Sequence, residues 1–147
     1  MAGKANNNSI GFLELIFQAV ISASYATLAL NATASPATQL FVSLHTADPG
    51  ATGSQTTSEA AYTSYARVGV ARTSGGWSIS AETISNVGTV TFPAATGGSE
   101  TETFFGIGLA ASGAGTLLYS GALTSGLAVS NGITPSFAAG QLTVTES

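Results

Sequence analysis

The chain has 147 residues but no cysteine, one histidine (His45), and three Lys or Arg against seven Asp or Glu. Charged residues make up 7% of it, whereas an ordinary soluble domain charges about a quarter of its residues. Without cysteine there are no disulfides, no thiolate nucleophiles and no thiolate metal ligands. With one imidazole and few acids, the usual proton shuttles and metal clusters cannot be assembled. No catalytic, cofactor-binding or metal-ligating residue is expected, and the chain is not read as an enzyme. Lys4, Arg67 and Arg72 cannot form the basic stripe that a phosphate backbone requires, and the net charge is -4, so nucleic acid is not an expected partner. No apolar run reaches the roughly 20 residues of a membrane span, so no membrane partner is expected either.

What remains is a chain that is 44% hydrophobic with a polar complement of Ser, Thr, Asn and Gly. A surface with so few charges is weakly protected against association. That points to a protein covered by copies of itself or by another protein. The length corresponds to about one domain, enough to bury roughly 70% of the unfolded chain's surface without cross-links.

Residues 1–9, MAGKANNNS, show no apolar periodicity and read as a polar arm whose Ser9 caps a helix. The helix is expected from Ile10 to about Ser24. Glu14, Gln18 and Ser22 recur on one narrow stripe, and Phe12, Leu13, Ile16, Phe17 and Val20 are among the apolar residues covering the rest. Lys4 before an apolar run, with Ser22, Ala23 and Ser24 behind it, has the outline of a secretory leader. Glu14 and Gln18 interrupt that run, and the segment is expected to be a retained helix.

From Leu40 the apolar period changes to two. Leu40, Val42 and Leu44 define a strand that stops at Asp48-Pro49-Gly50. A polar loop of small residues follows over 51–64, placed to cap the domain or to reach a neighbour. Further strands are expected around Val68 and Val70, Trp77 and Ile79, Ile84, Val90 and Phe92, and Phe105 to Leu109. Others follow at Leu117 and Tyr119, Leu127 and Val129, 133–137, and Leu142 and Val144. Asn131-Gly132 carries the strongest hairpin signal. Eight or nine short strands about ten residues apart predict an all-β protein: a jelly-roll-like antiparallel β-sandwich with one N-terminal α-helix and a polar arm. The organisation read from this is an arm over 1–9, a helix and connection over 10–38, and a β-sandwich domain over 39–147.

Few positions invite chemistry. His45 stands at a strand end with no second ligand or base beside it, and is expected to be a hydrogen-bonding side chain. Asp48 before Pro49-Gly50 predicts an Asx turn in preference to a calcium loop. Gly106-Ile107-Gly108 fits a loose dinucleotide fingerprint, but it lies in a strand pattern and opens no helix. Arg67 and Arg72 flank the Val68–Val70 strand and are expected to pair with Glu59, Glu82 or Glu100. Glu100 and Glu102 lie two apart on one strand face, in a stretch that reads as exposed. Candidate contact residues toward a neighbouring subunit or other partner surface are Lys4, Asn6, Asn7, Asn8, Phe12, Arg67 and Arg72.

The segments LFVSLHTADPGATGS, YARVGVAR, ISNVGTVTFPAATGG, FFGIGLAASGAGTLLYSGAL and VSNGITPSFAAGQLTVTES, in order over roughly residues 39–146, resemble a family of small virion proteins of tailed bacteriophages. Its members are labelled tail fibre proteins, and some look like capsid decoration, or cement, proteins. The resemblance implies a β-sandwich present in many copies per particle, with no cofactor. It implies location on the capsid exterior of a virion made in the bacterial cytoplasm. The partners implied are the major capsid protein and the chain itself as a homo-oligomer, dimer or trimer. Decoration is the favoured role, because the chain lacks the coiled-coil or repeat segments of a fibre shaft. The alternative is a tail-associated fibre or adhesin that binds a host receptor or glycan.

Overall fold

Alternating apolar residues at period two build nearly every element after the N-terminal segment. The computed structural model describes residues 6–20 and 37–146. Helix α1 spans Asn6–Leu13 and continues into one π-helical turn, Glu14–Gln18. The strands are β1 (Gln39–His45), β2 (Val68–Ala71), β3 (Trp77–Ser80), β4 (Thr83–Asn86), β5 (Val90–Thr91), β6 (Ser99–Gly108), β7 (Leu117–Ser130), β8 (Ser136–Phe137) and β9 (Thr143–Thr145). The registers between β1 and β6, β3 and β4, β4 and β9, β5 and β8, and β6 and β7 are all antiparallel. The fold class is all-β with a short N-terminal helix, as the periodicity predicts.

The helix differs from its expected limits. It begins at Asn6, so the Asn run is helical and does not lie in an arm. It closes at Ala19, whose φ of 55° is left-handed and cannot propagate a helix. Residues 1–5 and 21–36 lie outside the described residues, and with them Lys4 and the expected helical turn at Ser22–Ser24.

The chain forms two compact units. The first contains the N-terminal segment, residues 71–89 and residues 138–147. Its sheet has the order β3-β4-β9, and Leu13, Phe17, Trp77, Ile84 and Leu142 are buried in it. Phe17 meets Trp77 edge to face, with centroids 4.9 Å apart. Buried Asn86 knits the two late segments: its Nδ2 donates to the Gly88 and Ala138 carbonyls, and its Oδ1 accepts from Leu142 N–H.

The second unit, residues 39–70 and 90–137, contains a four-stranded sheet of order β2-β1-β6-β7 and the ribbon β5-β8. Phe137 of the ribbon packs edge on against Phe105 of β6 and against Phe92, and Phe92 stacks over Tyr65. Leu40, Val42, Leu44, Val90, Ile107 and Val129 are buried with these rings.

Two features depart from the sequence expectation. Leu117 and Tyr119 share one 14-residue strand with Leu127 and Val129. It carries a wide bulge: Phe104 pairs with Ala122 and Glu102 with Leu127, so Thr103 alone faces residues 123–126. The Asn131-Gly132 turn forms, with Ile133 N–H donating to Ser130 O, yet it closes no hairpin. Gly132 has φ of 88° while Asn131 stays at negative φ, which is a type II turn. Its twist splays the strands, whereas the type I′ turn of an Asn-Gly hairpin needs positive φ at both central residues. The chain crosses to β5 instead, with Ala95 N–H donating to Ile133 O and Phe92 N–H to Pro135 O.

Candidate functional site

The polar residues of the second unit gather where residues 46–65 lie along β1 and β6. That segment, of which 51–64 is expected as a loop that caps the domain or reaches a neighbour, is laid onto the sheet. Thr46 N–H donates to Ser58 O, Ala60 N–H to Leu44 O, and Thr63 exchanges backbone bonds with Thr96 and Gly97. It therefore covers the face of β1 that bears Ser43 and His45, both fully buried.

His45 Nδ1 lies 2.9 Å from the Thr57 carbonyl and its Nε2 lies 2.8 Å from Ser43 Oγ. A carbonyl only accepts, so Nδ1 carries the proton and Nε2 accepts from the serine hydroxyl. Burial lowers the His45 pKa and keeps this neutral tautomer in place. A hydroxyl bonded to an imidazole is the geometry of an activated nucleophile. Here it is sealed. A Cβ on Gly106 would stand 2.6 Å from both Ser43 Oγ and His45 Nε2, so the strand backbone occupies the space a reacting carbonyl would need. His45 is a structural hydrogen-bonding residue, as the sequence reading holds.

Gly108 plays the same part for Gln55, whose side chain fills the position of the missing Cβ. Gln55 is fully buried; its Oε1 accepts from Ala110 N–H and its backbone N–H donates to Gly115 O. The Gly106-x-Gly108 pair thus exists to admit two polar side chains against β6, a signal available in sequence as glycines two apart inside a strand.

Arg67 completes the cluster. Its Nε and Nη2 grip Glu59 in a two-pronged pair at 2.6 and 2.7 Å, its Nη1 donates to Ala110 O, and Nη2 also reaches Gly113 O. Tyr65 donates to Glu59 Oε1 and its oxygen accepts from Leu44 N–H; burial pushes its phenol far above the ordinary range. Gln55 and Arg67 together fasten residues 109–115 to residues 46–65. The exposed outer residues here are Thr46, Ala47, Asp48, Ala51, Thr52 and 111–114, small and almost uncharged. Asp48 Oδ1 accepts from Gly50 N–H, the expected Asx turn.

The other candidates are distributed elsewhere. Among the described residues the side-chain partners of Arg72, in the first unit, are backbone carbonyls. Its three nitrogens donate at 2.6 Å to the carbonyls of Ile16, Ala37 and Leu15. The expected acidic partner fails because the end of the π-turn leaves carbonyls that a guanidinium fork satisfies better. Phe12 is half-buried in α1, and Asn6, Asn7 and Asn8 form its first turn. Phe12 and these asparagines belong to the first unit, and Arg67 to the second.

Glu102 corrects the sequence reading. The stretch reads as exposed, yet Glu102 is fully buried and neither of its oxygens has a hydrogen-bond partner. Burial first, then the neighbouring Glu100 carboxyl, push it up to about 8. Residues 46–65 fold back over this face of β6, with Ala61 and Tyr62 against Glu100, and no periodicity in the sequence marks it. Among the described residues no three His, Cys, Asp or Glu side chains come together as a metal site, and no helix is long and apolar enough to cross a membrane.

An all-β chain with its polar groups turned inward, presenting small uncharged loops, has the character of a structural or binding module. The family comparison gives the class a name. Residues 19–145 match the family model described as podophage GP4 fiber I protein gp80. The chain belongs to this family and is a bacteriophage structural protein. No curated protein matches it.

Proposed function

We propose that the protein is a non-enzymatic subunit of a podophage tail-fibre assembly, acting by contact and not by chemistry. The observation that carries this reading is the family match over residues 19–145. The enclosed Ser43–His45 pair supports it, since the one nucleophile-like arrangement in the second unit is shut off from solvent. The recognition surface in this reading is the loop pair 46–52 and 111–114, held in place by Gln55 and Arg67. Preorganised loops rich in Ser, Thr, Gly and Ala bind by shape and hydrogen bonds with little ordering cost. Homo-oligomeric assembly, as a dimer or trimer, fits so sparsely charged a surface.

A second reading is capsid decoration, with the major capsid protein as partner. Its support is the lack of coiled-coil heptads or shaft repeats in the chain. Gold-labelled antibody against the protein, imaged on intact virions by electron microscopy, separates the two. Label confined to the tail apparatus supports the fibre reading. Label spread over the head rejects it in favour of decoration.

A further inference from the structure

Strand β6 presents Glu100 and Glu102 on the same face, and their surroundings differ. Glu100 is partly exposed, and its Oε1 accepts from Ala61 N–H at 2.8 Å and from Tyr62 N–H at 2.7 Å. Glu102 is fully buried beside it with two unpartnered oxygens. A sealed carboxylate with no donor is untenable as an anion, and two adjacent carboxylates cannot both ionise cheaply. A single proton satisfies both groups.

We propose that Glu102 and Glu100 share one proton, forming a latch that fastens residues 59–63 to β6 and opens when the proton is lost. Glu102 donates through a carboxyl O–H to Glu100, whose Oε1 accepts from the Ala61 and Tyr62 amides. On loss of the proton to hydroxide, two negative charges stand side by side. Glu102 must then hydrate or swing out, and Glu100 loses the neighbour that orients it. Release would uncover Ala60 and Tyr62, 5% and 3% exposed when closed. A covered strip would become an apolar patch open to a neighbouring subunit.

The groups facing the pair are few. From residues 59–63 comes Tyr62, whose phenol donates to Pro93 O and is pushed up to about 12 by burial and then by the two glutamates. From β7 come Leu127 and Val129, opposite Glu102 and Glu100, neither ionisable. From β1 comes His45, paired in register with Phe104, whose charged neighbours are Glu59 and Arg67. Glu102 is thus the group free to titrate near neutral pH, and its value of about 8 agrees with the geometry.

The test uses the full chain labelled with 13C at glutamate carboxyls, followed by NMR from acid to alkaline pH, together with amide hydrogen exchange at Ala61 and Tyr62. The Glu102 carboxyl signal should titrate near 8, against 4.5 for an ordinary glutamate. Protection of the two amides should fall across the same step, by about tenfold per pH unit beyond the intrinsic base dependence. In Glu102→Gln the carboxamide donates to Glu100 without titrating, so the protection step should vanish. A Glu102 signal that titrates with the ordinary glutamates overturns the proposal, as does a step that survives in Glu102→Gln. Should millimolar calcium abolish the step in the wild type, a cation and not a proton fills the site, and the proposal fails. If Glu102→Gln does not fold, the wild-type carboxyl titration decides alone.

Discussion

Arg67 and Glu59 form the one buried ion pair of the second unit, with side chains 2% and 15% exposed. Removing the guanidinium strands a carboxylate and the carbonyls of Ala110 and Gly113 at once. Arg67→Ala should therefore cost about 3–5 kcal/mol in chemical denaturation. Arg67→Lys should recover only part, because an ammonium cannot reproduce the fork. A loss under 1 kcal/mol, the scale of an exposed pair, would contradict this geometry. Gly106→Ala drives a methyl into Ser43 and His45, and should destabilise by about 1–3 kcal/mol. Combined with Ser43→Ala, part of that cost should return, since the hydroxyl it strikes is gone. Strict additivity in the double variant would refute the contact.

Two buried groups also set the pH response. The folded-state pKa of His45 lies below 6.5, so stability present above 6.5 is lost as pH falls toward the lowered value. Glu102 is raised from 4.5 to about 8, so its contribution is complete below 4.5 and is lost as pH rises through 8. Denaturation midpoints should decline on the alkaline side up to about pH 8, and Glu102→Gln should flatten that limb while leaving the acid limb of His45 intact. An alkaline limb of the same depth in both proteins would assign it to another group.

At the scale of elements, Arg72 does for the N-terminal segment what Arg67 does for the loops. The π-turn and Ala19 end a helix whose last carbonyls have no next turn; two of Arg72's donors fill that role and a third reaches the Ala37 carbonyl, all within one unit. Arg72→Ala should cost about 1–3 kcal/mol, the price of carbonyls left unpaired. It should also let a protease cut within residues 6–20 while the β portion stays whole. Unchanged cleavage would mean the helix is held by Phe17 and Trp77 alone. Strand existence was legible because period-two alternation survives at Leu40–Leu44, Val68–Val70, Trp77–Ile79 and Val90–Phe92. Pairing was not legible, because it is set by φ at Asn131 and by the bulge at 123–126, which composition does not record. The expected helix start is four residues late because Ser9, a favoured cap residue, stands directly before the apolar run.

At the scale of the whole molecule, the scarcity of charge proved the most informative property. The cations Arg67 and Arg72 are spent inside the chain, so what they leave to a partner is apolar and hydrogen-bonding surface. The candidate site was half legible: His45 is readable as a hydrogen-bonding side chain, whereas Gly106-x-Gly108 is readable only for what it is not. That Gly106 admits His45 is a three-dimensional fact, the partners standing 61 positions apart in the sequence. Glu102 escaped because its burial depends on residues 46–65 folding back. If this chain is a fibre-associated virion subunit, as proposed, its copy number per particle follows the tail and not the head. Quantitative mass spectrometry of purified virions should find the protein at about a few tens of copies or fewer, as tail symmetry dictates, against roughly hundreds for the major capsid protein. A copy number matching that of the capsid protein would contradict the account and make this a capsid decoration protein.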